Sequence, residues 1–140
     1  LGSIEALVKR ARNLGAQLVI VHGETISEPV QKGTNKEALL SGADILAHPG
    51  LIEEDDVLLA KEHNVALEIT SRASHAYTNA HVVTLARKVG ATLIYSSDFH
   101  EPSNLLSESM VTKILHGTSL TTNEIAAVLA ATERLCKAKL

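Results

Sequence analysis

The chain has 140 residues, of which 45% are hydrophobic and 21% charged, a composition typical of one folded globular domain. The formal net charge of −3, with no local Lys/Arg cluster, argues against a nucleic-acid-binding surface. A single cysteine, Cys136, excludes a disulfide framework and a cysteine-based zinc motif, and favours a reducing, cytoplasmic setting. No apolar run approaches the roughly 18 residues of a membrane-spanning helix, so we expect no membrane partner.

Helix-like and strand-like segments alternate along the chain. The spacing of apolar residues predicts helices over residues 3–14, 35–41, 53–63, 78–89, 104–115 and 122–139. Continuous apolar runs between them predict buried strands over residues 17–21, 44–47, 65–70 and 92–96. Strict alternation of strand and helix predicts parallel strands with right-handed crossovers, which is an α/β fold of βαβα units.

Residues that commonly bind metals follow three of the predicted strands. One apolar run leads into His22, a second into His48, and a third towards Asp98 and His100. Barrel enzymes build their active sites at these carboxyl ends of parallel strands. Imidazole and carboxylate groups are the usual ligands of Zn, Mn and Fe. Taken singly, His22 and His48 are better explained as structural histidines, and Asp98 is equally well explained as a helix cap. Their repetition at three strand ends favours a metal site.

Further polar side chains are expected near the same strand ends. Glu68 lies within the apolar run Val-Ala-Leu-Glu-Ile-Thr, where a carboxylate is costly unless it is paired or orients a metal ligand. The loop at residues 71–75 offers hydroxyl groups, Arg72 and His75. Because arginine binds phosphate with two parallel hydrogen bonds, we expect Arg72 and His75 to bind the substrate. An ion pair between Glu68 and Arg72, and a loop that is merely solvated, are the structural alternatives.

The motifs VHGE, AHPG, LEIT and SSDFHEP follow one another in this order. In this combination the chain resembles the later part of the PHP family, the polymerase and histidinol phosphatase domain, and most of all its histidinol-phosphatase-like members. The resemblance implies that residues 1–140 are a single domain, the C-terminal portion of a distorted (β/α)7 barrel with about four strands present. It also implies hydrolysis of a small-molecule phosphoester with up to three divalent metal ions.

The resemblance also implies roles for individual residues. His22 and His48 match ligands of one metal, Asp98 matches a ligand of another, and His100 matches a ligand of a third metal or of the phosphate. Asp98 and His100 are therefore the catalytic candidates as well. The family's opening His-x-His and its bridging Glu have no counterpart in this segment, which implies an incomplete site in the isolated chain.

Two other functions fit the same pattern. A metal-dependent amidohydrolase also carries His and Asp at strand ends of a barrel, although the paired Asp-x-His and the His-Pro-Gly sequence favour the PHP family. The third hypothesis is a non-catalytic barrel scaffold that binds a partner. The net negative charge and the set of ligand residues count against it. In every case, unpaired strand edges predict pairing with an upstream half of the barrel or self-association.

Overall fold

A computed structural model describes residues 3–139, in which helices and strands alternate. The helices are α1 (Ile4–Asn13), α2 (Thr34–Leu40), α3 (Glu54–Glu62), α4 (Asn79–Val89), α5 (Glu108–Gly117) and α6 (Thr122–Lys139). The strands are β1 (Ile20–His22), β2 (Ile45–Ala47), β3 (Ala66–Thr70) and β4 (Leu93–Ser96). All pair in parallel, in the order β1-β2-β3-β4. The predicted α/β fold of parallel βαβα units is confirmed.

The main hydrophobic core lies between one face of the sheet and the helices. Leu46, Leu67 and Ile69 of the sheet belong to the same buried cluster as Val57 of α3 and Val83 of α4. This placement follows from the strand order, because right-handed crossovers between sequential neighbours put each connecting helix on the same face. Connecting helices on a single face are the arrangement of an α/β barrel segment.

Helix α6 runs along the edge strand β4. On the second face of the sheet, Ile45, Ala66 and Ile94 form a smaller core, against which α6 also packs. The backbone N–H of Tyr95 in β4 donates to the hydroxyl oxygen of Thr132 in α6, at 2.9 Å. A helical hydroxyl thus satisfies a backbone donor of β4. None of the helices within residues 3–139 is long and apolar enough to cross a membrane.

The prediction of a helix over residues 104–115 is wrong about where the helix begins. Helix α5 begins later, where the side chain of Ser107 caps its first turn. Asn104 instead ends a short 3-10 turn, and its Oδ1 accepts from the backbone N–H groups of His100 and Glu101 at 2.9 and 3.1 Å. This side chain therefore stabilises the loop after β4, a use of asparagine that competes with helix formation.

Candidate metal site

Three histidines come together at the carboxyl end of the sheet. His22 ends β1, His48 directly follows β2, and His75 lies in the loop after β3. Their ligand nitrogen atoms all lie within 4.8 Å of one another. The rings of His48 and His75 stack with centroids 4.2 Å apart, and His22 meets His48 edge-on at 4.4 Å. Since imidazoles in such proximity are common ligands of divalent cations, this group of three histidines can hold a metal ion.

Glu68 fixes the orientation of His48. The Glu68 Oε2 atom accepts from both the backbone N–H and the Nδ1–H of His48, at 2.7 and 2.9 Å. The Oε1 atom accepts from the hydroxyl group of Ser96 in the neighbouring strand. Both Glu68 and His48 are buried. A carboxylate that holds one imidazole nitrogen in this way commonly directs the other nitrogen towards a metal.

The second ring nitrogen of His48 is available as a metal ligand. Because Nδ1 carries the proton that it donates to Glu68, Nε2 keeps a lone pair. This Nε2 atom is buried and has no hydrogen-bond partner among residues 3–139. A buried polar atom without a partner costs roughly 1–3 kcal/mol, and a cation bound at this point would remove that cost.

The Nδ1 atoms of the other two histidines are also occupied. In His22, Nδ1–H donates to the carbonyl oxygen of the next residue at 2.9 Å. In His75, Nδ1 lies 2.7 Å from the hydroxyl oxygen of Thr25 and 2.8 Å from that of Ser27. Burial lowers the pKa of His75, and the neighbouring His48 adds to the shift. A neutral imidazole is the form that binds a metal.

Two carboxylates border the three-histidine group. Glu28, in the loop between β1 and α2, places Oε2 3.2 Å from Nε2 of His22 and Oε1 3.6 Å from Nε2 of His75. Asp98, after β4, places Oδ2 3.6 Å from the same Nε2 of His75. Their negative charge favours a cation at this position.

Arg72 and His100 lie on the outer side of Asp98. The Nε atom of Arg72 is 3.3 Å from Asp98 Oδ2, and its Nη1 donates to the Asp98 carbonyl at 3.3 Å and lies 2.8 Å from His100 Nδ1. The carbonyl oxygen of Asp98 also lies 2.8 Å from His100 Nδ1, so this nitrogen faces both a donor and an acceptor. One open cavity of about 180 Å³ is lined by His22, Glu28, His48, Arg72, His75, Asp98 and His100.

The backbone is left-handed at two of these positions. His48 has φ 31° and Asp98 has φ 46°, a region that residues other than glycine rarely adopt. Such conformations cost energy and persist where surrounding contacts enforce them, typically at functional sites. Here the contacts are those of Glu68 with His48 and of Arg72 with Asp98.

Sequence analysis and structure group these residues differently. Of the predicted metal ligands, His22 and His48 lie together. Asp98 contacts His75, the third histidine of the group, and His100 lies beside Arg72. His75, which was predicted to bind substrate, is a member of the three-histidine group. The ion pair considered between Glu68 and Arg72 is not formed, since Glu68 holds His48 and Arg72 holds Asp98.

Sequence reasoning missed the contributions of Glu28, Thr25 and Ser27. All three lie in the polar loop at residues 23–33, where the sequence has no periodicity from which a side-chain direction can be read. The local sequence Val-His-Gly-Glu marks only the point where the strand ends. The only signal in the sequence that could have indicated these residues is that their loop follows a strand that ends in a candidate ligand.

Fold and site together define an α/β protein with a three-histidine group that can hold a metal ion. No model of a known protein family matches the chain. The chain is similar to an uncharacterized protein of Methanocaldococcus jannaschii, with 41% identity over 124 residues. The matched region covers 88% of this chain and 57% of the relative, so the chain spans little more than half the relative's length.

Proposed function

We propose that the chain carries part of the active site of a metal-dependent phosphoesterase of the PHP type. The observation that carries this proposal is the buried, unpartnered Nε2 of His48 in the described part of the chain. It lies in the same cavity as the guanidinium group of Arg72. A phosphoester needs both a cation that offsets charge on its oxygens and a donor that fixes its orientation.

The ligand set favours particular metals. Three imidazoles with neighbouring carboxylates suit Zn, Mn or Fe better than Ca, which prefers oxygen ligands alone. When bound, such a cation lowers the pKa of water and neutralises charge on the phosphoryl group. The chain's own contribution is orientation: Glu68 directs His48, and the hydroxyl groups of Thr25 and Ser27 hold His75.

Arg72 is the proposed phosphate-binding residue. Its planar guanidinium group can donate two parallel hydrogen bonds to phosphate oxygens, a geometry that a lysine cannot reproduce. The side chain is 32% exposed at the cavity, so an incoming phosphate can reach it. His100 beside it is 59% exposed. When its Nε2 carries a proton, that N–H can donate to a second phosphate oxygen or to the leaving-group oxygen.

The proposed partner and cellular compartment of the chain follow from the exposed edge strand β1 and from Cys136. Ile20 in the edge strand β1 is 55% exposed, whereas α6 packs along β4 at the other edge. We therefore propose that β1 pairs with an upstream half of the barrel or with a second copy of the chain. The free, exposed Cys136 suits the reducing cytoplasm.

The test is hydrolysis of phosphomonoesters in the presence of Mn²⁺ or Zn²⁺. It is run with the chain alone and with the chain joined to the part of its longer relative that it does not match. We expect metal-dependent turnover in the joined protein, and a raised KM there in Arg72→Lys. His63→Ala, which changes an exposed histidine at the end of α3, is the matched control. Turnover that survives His48→Ala combined with Asp98→Asn would overturn the proposal.

A further inference from the structure

We infer that Glu28 is a fourth ligand of the cation, and that an anionic substrate displaces it. The inference rests on the proposed metal site of His22, His48 and His75, and it assigns the fourth ligand of that site. The carboxylate comes from the loop between β1 and α2, outside the strand ends that supply the other candidates.

The hydrogen bonds of His22 leave an acceptor facing Glu28. A carbonyl oxygen can only accept, so the 2.9 Å contact with His22 Nδ1 fixes a proton there and, in the neutral imidazole, leaves a lone pair on Nε2. The Glu28 Oε2 atom, which also only accepts when ionised, lies 3.2 Å from this Nε2. Two acceptors at this distance repel each other unless a positive charge, either a proton on Nε2 or a metal ion, lies between them.

The second oxygen of Glu28 stands in a similar relation to His75. Its Oε1 lies 3.6 Å from Nε2 of His75, whose Nδ1 is held by hydroxyl groups. One carboxylate therefore faces two imidazole nitrogens at once, and His48, whose buried Nε2 has no partner among residues 3–139, belongs to the same group of histidines. Glu28 lines the same cavity as all three histidines.

The distances from Glu28 to the two imidazoles are close to those between neighbouring ligands of one ion. Bonds of about 2.0–2.2 Å from a metal to nitrogen and oxygen ligands put neighbouring ligand atoms of a tetrahedral site roughly 3.3 Å apart. Oε2 lies 3.2 Å from Nε2 of His22 and Oε1 lies 3.6 Å from Nε2 of His75, on either side of this value. Each oxygen of the carboxylate is therefore at ligand separation from one imidazole.

Position in the fold separates the fixed ligands from the exchangeable one. His48 and His75 are buried, and His22, although 45% exposed, belongs to strand β1, whereas Glu28, 51% exposed, lies on a loop. A half-exposed side chain on a loop can leave the ion without disturbing the core. Arg72 in the same cavity attracts a phosphate, whose oxygens replace the carboxylate oxygens.

The test uses Co²⁺ as the probe in the full chain, because its visible absorption depends on the number of ligands. Wild type, Glu28→Gln and the control Glu62→Gln, an exposed carboxylate at the end of α3, are titrated and their folding is checked by circular dichroism. We expect Glu28→Gln to weaken Co²⁺ binding at least tenfold and to change the absorption, and Glu62→Gln to change neither. Identical affinity and spectrum in wild type and Glu28→Gln would overturn the inference.

Inorganic phosphate tests the exchange. It should change the Co²⁺ spectrum of wild type and bind severalfold more tightly to Co²⁺-loaded Glu28→Gln, which has no carboxylate to displace. Weaker phosphate binding in Glu28→Gln would show that Glu28 is not displaced. Glu28-dependent Co²⁺ binding without phosphoester hydrolysis would leave the inference standing and overturn the proposed function. Absence of Co²⁺ binding in wild type would overturn both.

Discussion

One oxygen of the Glu68 carboxylate holds both the backbone N–H and the imidazole Nδ1–H of His48, at 2.7 and 2.9 Å. The main chain after β2 and the imidazole ring are therefore fixed by the same atom of β3. Because Glu68 is buried within a strand, its position depends on the sheet and not on a loop. The direction of Nε2 of His48 is thus set by the pairing of β2 with β3.

Glu68→Gln should lower the affinity for Zn²⁺ or Co²⁺ by roughly 10–100-fold, the usual effect of losing a carboxylate that orients a metal-binding histidine. An amide oxygen in place of Oε2 can still accept both bonds from His48, but it carries no negative charge, and the amide NH₂ cannot accept from Ser96. Competition with a chelator of known affinity measures the loss. Ser96→Ala, which removes only the donor to the other carboxylate oxygen, should have the smaller effect. Wild-type affinity in Glu68→Gln would contradict this account.

Strand periodicity explains which parts of the site sequence reasoning could find. His22 and His48 were predicted because each ends or follows a buried strand, and parallel strands bring such ends together. His75 was correctly placed in a polar loop, but its direction depends on contacts with Thr25 from a distant loop. No local pattern encodes such a contact, which also explains why Glu28 was missed.

Gly50→Ala should destabilise the fold more than Gly42→Ala. Both glycines have positive φ, +65° and +82°, so alanine costs about 1–2 kcal/mol of backbone strain at either position. At Gly50 a Cβ would in addition lie 1.8 Å from the carbonyl oxygen of Glu24, whereas at Gly42 nothing lies within 4 Å. Urea unfolding gives both free energies. Equal losses in the two variants would show that the loops after β1 and β2 do not need this close approach.

Thr25→Val and Ser27→Ala should act cooperatively on metal affinity. Each hydroxyl group lies within hydrogen-bond distance of Nδ1 of His75, so one can replace the other. The double variant leaves the buried Nδ1 of His75 without a hydroxyl partner, which costs roughly 1–3 kcal/mol. Co²⁺ affinity of wild type, both single variants and the double variant forms a complete thermodynamic cycle. Strictly additive effects would mean that only one hydroxyl group holds the ring.

The Arg87–Glu124 pair should make the free energy of unfolding depend on pH. Two hydrogen bonds from Arg87, at 2.6 and 3.1 Å, together with those from Thr121, lower the pKa of Glu124 to about 2. The unfolded chain, with an ordinary pKa near 4.5, then binds the proton more readily than the folded state. The contribution is therefore complete above the unfolded pKa and is lost as the pH falls through the folded value.

The measurement compares the free energies of unfolding of wild type and Glu124→Gln. Their difference should be constant between about pH 7 and pH 5.5 and should shrink at lower pH. Glu133→Gln is the control, since Glu133 pairs with Lys137 in an exposed (i, i+4) contact that should contribute little. A difference that is the same at acidic and neutral pH would refute the linkage.

Ile20→Lys should shift the chain towards the monomer. Ile20 is exposed on the edge strand β1, and an unpaired parallel edge with an exposed aliphatic side chain favours pairing with another strand. A lysine at this position opposes such pairing through its charge. Light scattering over a range of concentrations measures the effect, with Leu14→Lys, an exposed leucine after α1, as the matched control. A wild-type chain that stays monomeric at every concentration would leave the upstream half of a barrel as the only proposed partner of β1.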